Sequence, residues 1–263
     1  MLKKLLKYDL KYIFKFLIIF YSLALFFALL ARIFINIENS FIMYVIGEIC
    51  RGATISMVFS IIINNLMRLW VRFNSNFYGD ESYLTHTLPI EKRTLYLSKI
   101  ITSLLSLFTS IIVIVVTLFI AYYSKELLNT LKNLLFPLAN IYNSSITSII
   151  IAFSFILFLE FMNILQCGFS GLIVGHKMNN AKVGYSVLFG FVSFMISQTI
   201  VVIALLVLAL FNKDIMNLIF TNEMINFDST KIIIYLTTIM YSLVICIGYF
   251  VNVKLLKNGV NVE

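Results

Sequence analysis

The chain has 263 residues, of which 61% are hydrophobic and only 12% are charged, and its mean hydropathy is +0.98. Soluble domains carry about 25% charged and about 45–50% apolar residues, so this composition excludes a soluble globular protein and indicates an integral membrane protein. The formal net charge of +8 must then be interpreted by its position along the chain, and it does not indicate nucleic-acid binding.

The N-terminal segment, about residues 1–14 and the lysine that follows it, has the pattern of a basic amphipathic helix. On a helical wheel, its lysines gather on one face about 120° wide and its apolar residues fall opposite. The lysines are Lys3, Lys4, Lys7, Lys11 and Lys15, and the apolar residues are Leu2, Leu5, Leu6, Leu10 and Ile13. We expect an interfacial helix that lies on the inner leaflet and binds anionic membrane lipid. The alternative is the Lys-rich cytoplasmic start that many membrane proteins have.

Six apolar runs follow, and each is long enough to cross the roughly 30 Å of membrane hydrocarbon as a helix of about 20 residues. They cover about residues 15–35, 43–69, 100–122, 146–174, 183–211 and 232–253. None alternates as barrel strands do, so the sequence predicts an all-α membrane protein with a single transmembrane domain over residues 1–263. Pro89 and Pro137 both fall in loops between the spans, and the loop at 212–231 suits a short amphipathic or re-entrant helix at the outer surface.

Lysine and arginine are distributed unevenly around these spans. Most lie before span one, between spans two and three, between spans four and five, and after span six. Because cytoplasmic loops are rich in these residues, we predict a multi-pass protein of the plasma membrane with both termini in the cytoplasm.

The loop between spans two and three, about residues 71–99, keeps apolar side chains among its charges. A connector that only faces water would be polar throughout, whereas apolar anchors within a polar rim suit a docking surface. The candidate docking residues are Tyr78, Gly79, Asp80, Glu81, Tyr83, Leu84, Leu88 and Pro89. The alternative is that they pack against the inner ends of the protein's own helices.

The string Tyr-Gly-Asp-Glu-Ser-Tyr-Leu-Thr-His-Thr-Leu-Pro at residues 78–89 resembles the cytoplasmic loop of ABC-2-type permease subunits of Gram-positive bacteria. In that family a glycine often follows the two acids, where Ser82 stands here. The six-span plan with a basic N-terminal helix extends the resemblance, which implies the type V exporter-like ABC-2 architecture.

The resemblance also implies partners. It implies a dimer with a second copy or a homologous permease, moving substrate outward and driven by a separate ATPase subunit that binds ATP and Mg²⁺. Residues 78–89 would then form a coupling helix, with Asp80 and Glu81 facing basic groups on the ATPase and Tyr83 and Leu84 as apolar anchors.

Motifs for nucleotide binding and catalysis are missing from the sequence. It holds no Gly-x-x-x-x-Gly-Lys-Ser/Thr phosphate loop, so any ATP hydrolysis belongs to a partner chain, and we expect no cofactor here. Histidine occurs only at His86 and His176, with no His-Glu-x-x-His or Gly-x-Ser-x-Gly motif, so we predict no catalytic or metal site. The alternatives to an exporter of an amphipathic substrate, such as an antimicrobial peptide, antibiotic or lipid, are an intramembrane enzyme and an ATPase-independent channel or accessory protein.

Two sets of polar residues fall inside the spans. Glu48 and Arg51 are three residues apart on span two and can neutralise each other. Glu160, Asn163 and Gln166 form a stripe along one side of span four, and a charged side chain at that depth is a candidate for function. This stripe could face a dimer interface or a substrate cavity, or Glu160 could be hydrogen-bonded or protonated between helices of one subunit.

Overall fold

The computed structural model of the chain describes residues 2–37, 40–141, 145–220 and 227–257. These residues form helices joined by short connections, and no β-strand occurs among them. The helices are α1 (Leu2–Ile35), α2 (Phe41–Phe77), α3 (Ser82–Thr87), α4 (Lys92–Tyr122), α5 (Lys125–Ile141), α6 (Ile146–Gly175), α7 (Lys182–Phe211), α8 (Lys213–Phe220) and α9 (Phe227–Lys257). The all-α fold class is therefore confirmed.

Six of these helices are long and apolar enough to cross a membrane. They are α1, α2, α4, α6, α7 and the Lys231–Lys257 part of α9. Each contains one of the six predicted spans, so the prediction of a multi-pass membrane protein is confirmed. Ser40 and Ser145 start two of them, because their side chains accept hydrogen bonds from the backbone N–H groups of Met43 and Ser148.

Helix α1 is continuous from Leu2 to Ile35, so the helix predicted at 1–14 and the first predicted span form one helix without a break. No glycine or proline interrupts this segment, and Asp9, in its middle, is 2% exposed because it packs against other helices. A helix of 34 residues is about 51 Å long. Because the hydrocarbon layer is only about 30 Å thick, one end of α1 extends well beyond it.

The loop predicted at 71–99 is shorter in the structure. Helix α2 continues to Phe77 and α4 begins at Lys92, so the connection covers residues 78–91 and includes α3. The charged residues Arg72 and Lys99, which the prediction placed in the loop, are helical because they pair with other buried polar groups. Pro137 lies inside α5, and α8 occupies the predicted short helix of the 212–231 loop.

The chain packs as two compact units, Met1–Thr130 and Leu131–Glu263. In the first unit, α1 packs against α2 and α4, and α2 packs against α4. The packed face of α1 carries residues at helical spacing that are fully buried, namely Ile13, Leu17, Ala24, Ala28 and Ala31. Alanine at three of these positions lets neighbouring helices approach closely.

In the second unit, α6 packs against α7 and α9. Gly171 and Gly175 of α6 lie directly on α7, where a Cβ atom on Gly171 would fall 2.5 Å from the backbone nitrogen of Gly190. A Cβ atom on Gly175 would fall 2.4 Å from the backbone nitrogen of Ser186. The Gly-x-x-x-Gly pair therefore serves a close helix crossing within this unit.

Candidate functional site

The loop between α2 and α4 presents apolar side chains on its outer surface. Tyr83 and Leu84, both on α3, are 69% and 71% exposed, and Leu88 is 44% exposed. Asp80 and Pro89 are also exposed. The residues predicted as apolar anchors are thus free to contact another molecule.

The base of the same loop is buried. Tyr78 is 3% exposed and Ser82 is fully buried, and burial raises the pKa of the Tyr78 hydroxyl above its usual value. The imidazole Nε2 of His86 lies 3.1 Å from the carbonyl oxygen of Phe77, which ties α3 back to the end of α2. The backbone N–H of Gly79 donates to the carbonyl of Asn74 at 3.0 Å, so the chain turns tightly as it leaves α2.

A buried network of charges fixes this loop to the helix bundle, and Arg72 of α2 is at its centre. The Arg72 Nε group donates to Asp9 Oδ1 of α1 at 2.9 Å, and its Nη1 group donates to both carboxylate oxygens of Glu81 at 2.7 and 2.8 Å. Lys99 of α4 donates to Asp9 Oδ2 at 2.7 Å and also to the Asn76 side-chain oxygen. Asn76 in turn donates to Glu81.

The network joins α1, α2, α4 and the loop, and its formal charges cancel, because two carboxylates face one guanidinium and one ammonium. The side chains of Asp9, Lys99 and Arg72 are 3%, 8% and 11% exposed. Charges this deeply buried are tolerated only when they are paired and hydrogen-bonded. We name Asp9, Arg72, Asn76, Glu81 and Lys99 the ion network.

The structure adds an internal contact for Glu81, whose carboxylate was predicted to face basic groups on a partner. Both of its oxygens accept hydrogen bonds from the Nη1 group of Arg72 in the same chain. The Glu81 side chain stays 45% exposed, whereas Asp80, its neighbour, is exposed and absent from the network. The loop thus divides into a fixed part, Tyr78–Ser82, and an exposed part on and after α3.

Four residues of the ion network were not predicted from the sequence as site residues, namely Asp9, Arg72, Asn76 and Lys99. Arg72 and Lys99 were counted only as flanking positive charges. One signal for Asp9 was present, because it is the only acidic residue among the first fifteen and falls opposite the lysines on the helical wheel.

Glu48 and Arg51 form the ion pair that their spacing predicts, at 2.6 Å. The Arg51 Nε group also donates to the carbonyl of Ala121 at 3.3 Å, and the guanidinium carbon lies 5.3 Å from the Tyr122 ring centroid. Arg32 donates to the Tyr123 carbonyl in the same way. These arginines satisfy carbonyl groups at the C-terminal end of α4, so they act within the first unit.

The polar stripe of α6 meets polar residues of α7 and α9 within the second unit. Glu160 Oε1 accepts a hydrogen bond from Gln198 Nε2 at 2.7 Å, and Gln198 Oε1 accepts one from the Tyr241 hydroxyl at 3.0 Å. Asn163 Nδ2 donates to Ser197 Oγ at 2.9 Å. The stripe was predicted either to face a dimer interface or substrate cavity, or to be hydrogen-bonded between helices of one subunit. These contacts favour the second interpretation.

Part of the stripe lacks a hydrogen-bond partner among the described residues. The second carboxylate oxygen of Glu160 and both polar atoms of the Gln166 amide are buried without one. Gln166 lies against α9, because a Cβ atom on Gly248 would fall 2.9 Å from its Nε2 atom. Unpaired buried polar atoms cost about 1–3 kcal/mol each, which makes this the least satisfied polar region described in the second unit.

The chain matches no protein-family model, no curated protein and no solved structure in the comparisons made with it.

Proposed function

We propose that this chain is the permease subunit of an ATP-driven exporter of the ABC-2 type, and that its α2–α4 loop docks onto a separate ATPase subunit. Both termini and this loop lie in the cytoplasm, and ATP and Mg²⁺ bind to the ATPase. A second copy of the chain, or a homologous permease, completes the dimer. The substrate is amphipathic, such as an antimicrobial peptide, an antibiotic or a lipid.

The exposed pair Tyr83 and Leu84 carries this proposal. These residues lie on a short helix outside the predicted spans, where an apolar side chain gains nothing from lipid. The same helix is fixed at its base by Tyr78, His86 and the ion network, so its exposed face is preorganised. A rigid aromatic and aliphatic pair within a polar rim is the arrangement that protein interfaces use as an anchor.

The energy source must come from outside the chain, because the sequence has no phosphate loop. The candidates for a substrate path are the polar atoms of Glu160 and Gln166 that the contacts within the second unit leave unpaired. An apolar interior with few polar groups suits an amphipathic substrate better than a sugar chain.

The proposal is tested by co-purification. The proposal requires a phosphate-loop ATPase, which we expect the adjacent open reading frame to encode. The chain is co-expressed with that ATPase, and the tagged chain is purified in a mild detergent. The double variant Tyr83→Asp/Leu84→Asp should lose the ATPase, because it places two charges in an apolar contact. We expect at least a tenfold loss of bound ATPase.

The matched control is Tyr83→Phe/Leu84→Met, which keeps both side chains apolar and should retain the ATPase. Because Tyr83 and Leu84 are exposed, both double variants should melt within about 2 °C of the unmodified protein. Retention of the ATPase by the Asp double variant would refute docking through this surface.

A further inference from the structure

The basic face of α1 is exposed along its whole length. Lys3, Lys4, Lys7, Lys11 and Lys15 are all exposed. None of them forms an ion pair with a residue that the structure describes. On the opposite face, Asp9 and Ile13 are buried against the neighbouring helices. The five lysines therefore present one positively charged face that can attract an anionic partner.

This part of α1 is held alongside α2, which determines where its lysines lie. Asp9 is paired with Arg72 and with Lys99 of α4. The guanidinium of Arg72 lies 4.6 Å from the Tyr12 ring centroid, and that of Arg68 lies 3.4 Å from the Phe16 ring centroid. With these contacts in place, residues 9–16 of α1 follow the axis of a membrane-spanning helix and do not turn onto the membrane surface.

The lysines are therefore at different distances from the lipid. Residues 16–35 span about 30 Å as a helix, which matches the hydrocarbon layer and places Lys15 at its edge. Lys11 then lies about 6 Å beyond the edge, within the headgroup layer, whereas Lys3 and Lys4 lie about 16–18 Å beyond it. The Debye length at physiological salt is about 8 Å, so the attraction between Lys3 or Lys4 and the lipid charge is strongly screened.

We propose that Lys11 and Lys15 form a binding site for the phosphate groups of anionic lipids, and that Lys3 and Lys4 stand in water beyond the headgroups. The occupant is a lipid, because Lys15 borders an exposed apolar surface that includes Ile18 and Ile19 at 59% and 51% exposure. The proposal depends on the fold of the first unit and not on the proposed exporter function.

Trp70 provides a built-in probe, because it is the only tryptophan of the chain and lies between Arg68 and Arg72. The full-length protein is purified in a neutral detergent and titrated with pyrene-labelled phosphatidylglycerol. Energy transfer from Trp70 to pyrene reports binding, and pyrene-labelled phosphatidylcholine is the neutral control. Two double variants with equal charge loss are compared, Lys11→Gln/Lys15→Gln and Lys3→Gln/Lys4→Gln.

We expect the first double variant to weaken phosphatidylglycerol binding by about fivefold per lysine, whereas the second weakens it about twofold or less. Binding of phosphatidylcholine should be unchanged in both, and 1 M NaCl should remove the difference between them. Equal weakening in the two variants would overturn the proposal, because it would mean that all the lysines lie at the lipid surface. Unchanged binding in both would overturn it too, since anionic lipid would then not bind this face.

Discussion

Replacement of Asp9 by Asn tests the ion network most directly, because it removes one charge and almost no volume. In the unmodified protein, the charges of Asp9 and Glu81 balance those of Arg72 and Lys99. Asp9 is the only carboxylate that pairs with both cations. Its loss leaves a net charge of about +1 in a site that is largely closed to water.

The expected cost follows from which pairs survive. Arg72 keeps its hydrogen bonds to both oxygens of Glu81, but Lys99 keeps only the neutral Asn76 side chain. Removal of one partner of a buried pair costs about 3–5 kcal/mol. We expect about 3 kcal/mol, the lower end of that range, because the Asn side chain still accepts one hydrogen bond. For a chain of this size, that corresponds to a melting temperature lower by roughly 6–12 °C.

Thermal unfolding in detergent, followed by far-UV circular dichroism, measures this effect. Asp80→Asn is the matched control, since it is the same chemical change at an exposed position outside the network and should shift the melting temperature by less than 2 °C. The double variant Asp9→Asn/Lys99→Met restores the charge balance and should recover more than half of the loss. An Asp9→Asn variant as stable as the control, or costs of the two changes that simply add, would refute the charge-balance argument.

Two further predictions concern helix packing and pH. Gly175→Ala should destabilise the protein by about 1–3 kcal/mol, because the added methyl group meets the α7 backbone. Gly184→Ala, at a position with open space around it, should stabilise the protein by about 0.5–1 kcal/mol. Equal melting temperatures of the two variants would contradict this prediction. The raised pKa of Tyr78 means that the unfolded chain loses this proton first, so its contribution is fully present below about pH 10 and is lost as the pH rises above that value. Tyr78→Phe should therefore flatten the fall of the melting temperature between pH 9 and 11, and Tyr83→Phe, at an exposed position, should leave that fall unchanged.

The spans were predictable from sequence because a membrane leaves the backbone few choices. A run of about 20 apolar residues must satisfy its own N–H and C=O groups, which only a helix does within one segment. The helix ends were harder to predict, because they depend on pairs between distant residues. Local composition places Arg72 and Lys99 in a polar loop. Asp9, which is 63 and 90 residues away from them along the chain, pairs with both and makes helical positions favourable for them.

The candidate site, like the helix ends, was predictable from sequence only in part. Exposure of Tyr83 and Leu84 agrees with their pattern, since apolar residues outside the spans and among charges have few places to pack. The engagement of Glu81 by Arg72 was not predictable, because both the internal pair and an external partner satisfy a carboxylate equally well. Likewise, the sequence shows that Glu160 belongs to a polar stripe on one helix. It does not show that Gln198 of α7 is the partner of Glu160, because no spacing rule links residues on different helices.

The pairs of the ion network differ in how far water reaches them. Asp9, Lys99 and Arg72 are nearly closed to water, so separating Asp9 from its partners costs several kcal/mol. The Glu81 side chain is 45% exposed, so its pair with Arg72 is the link of the network that water reaches most easily. Loss of Glu81 would still leave Asp9 alone to balance Arg72 and Lys99 in a site largely closed to water, so the network depends on both carboxylates.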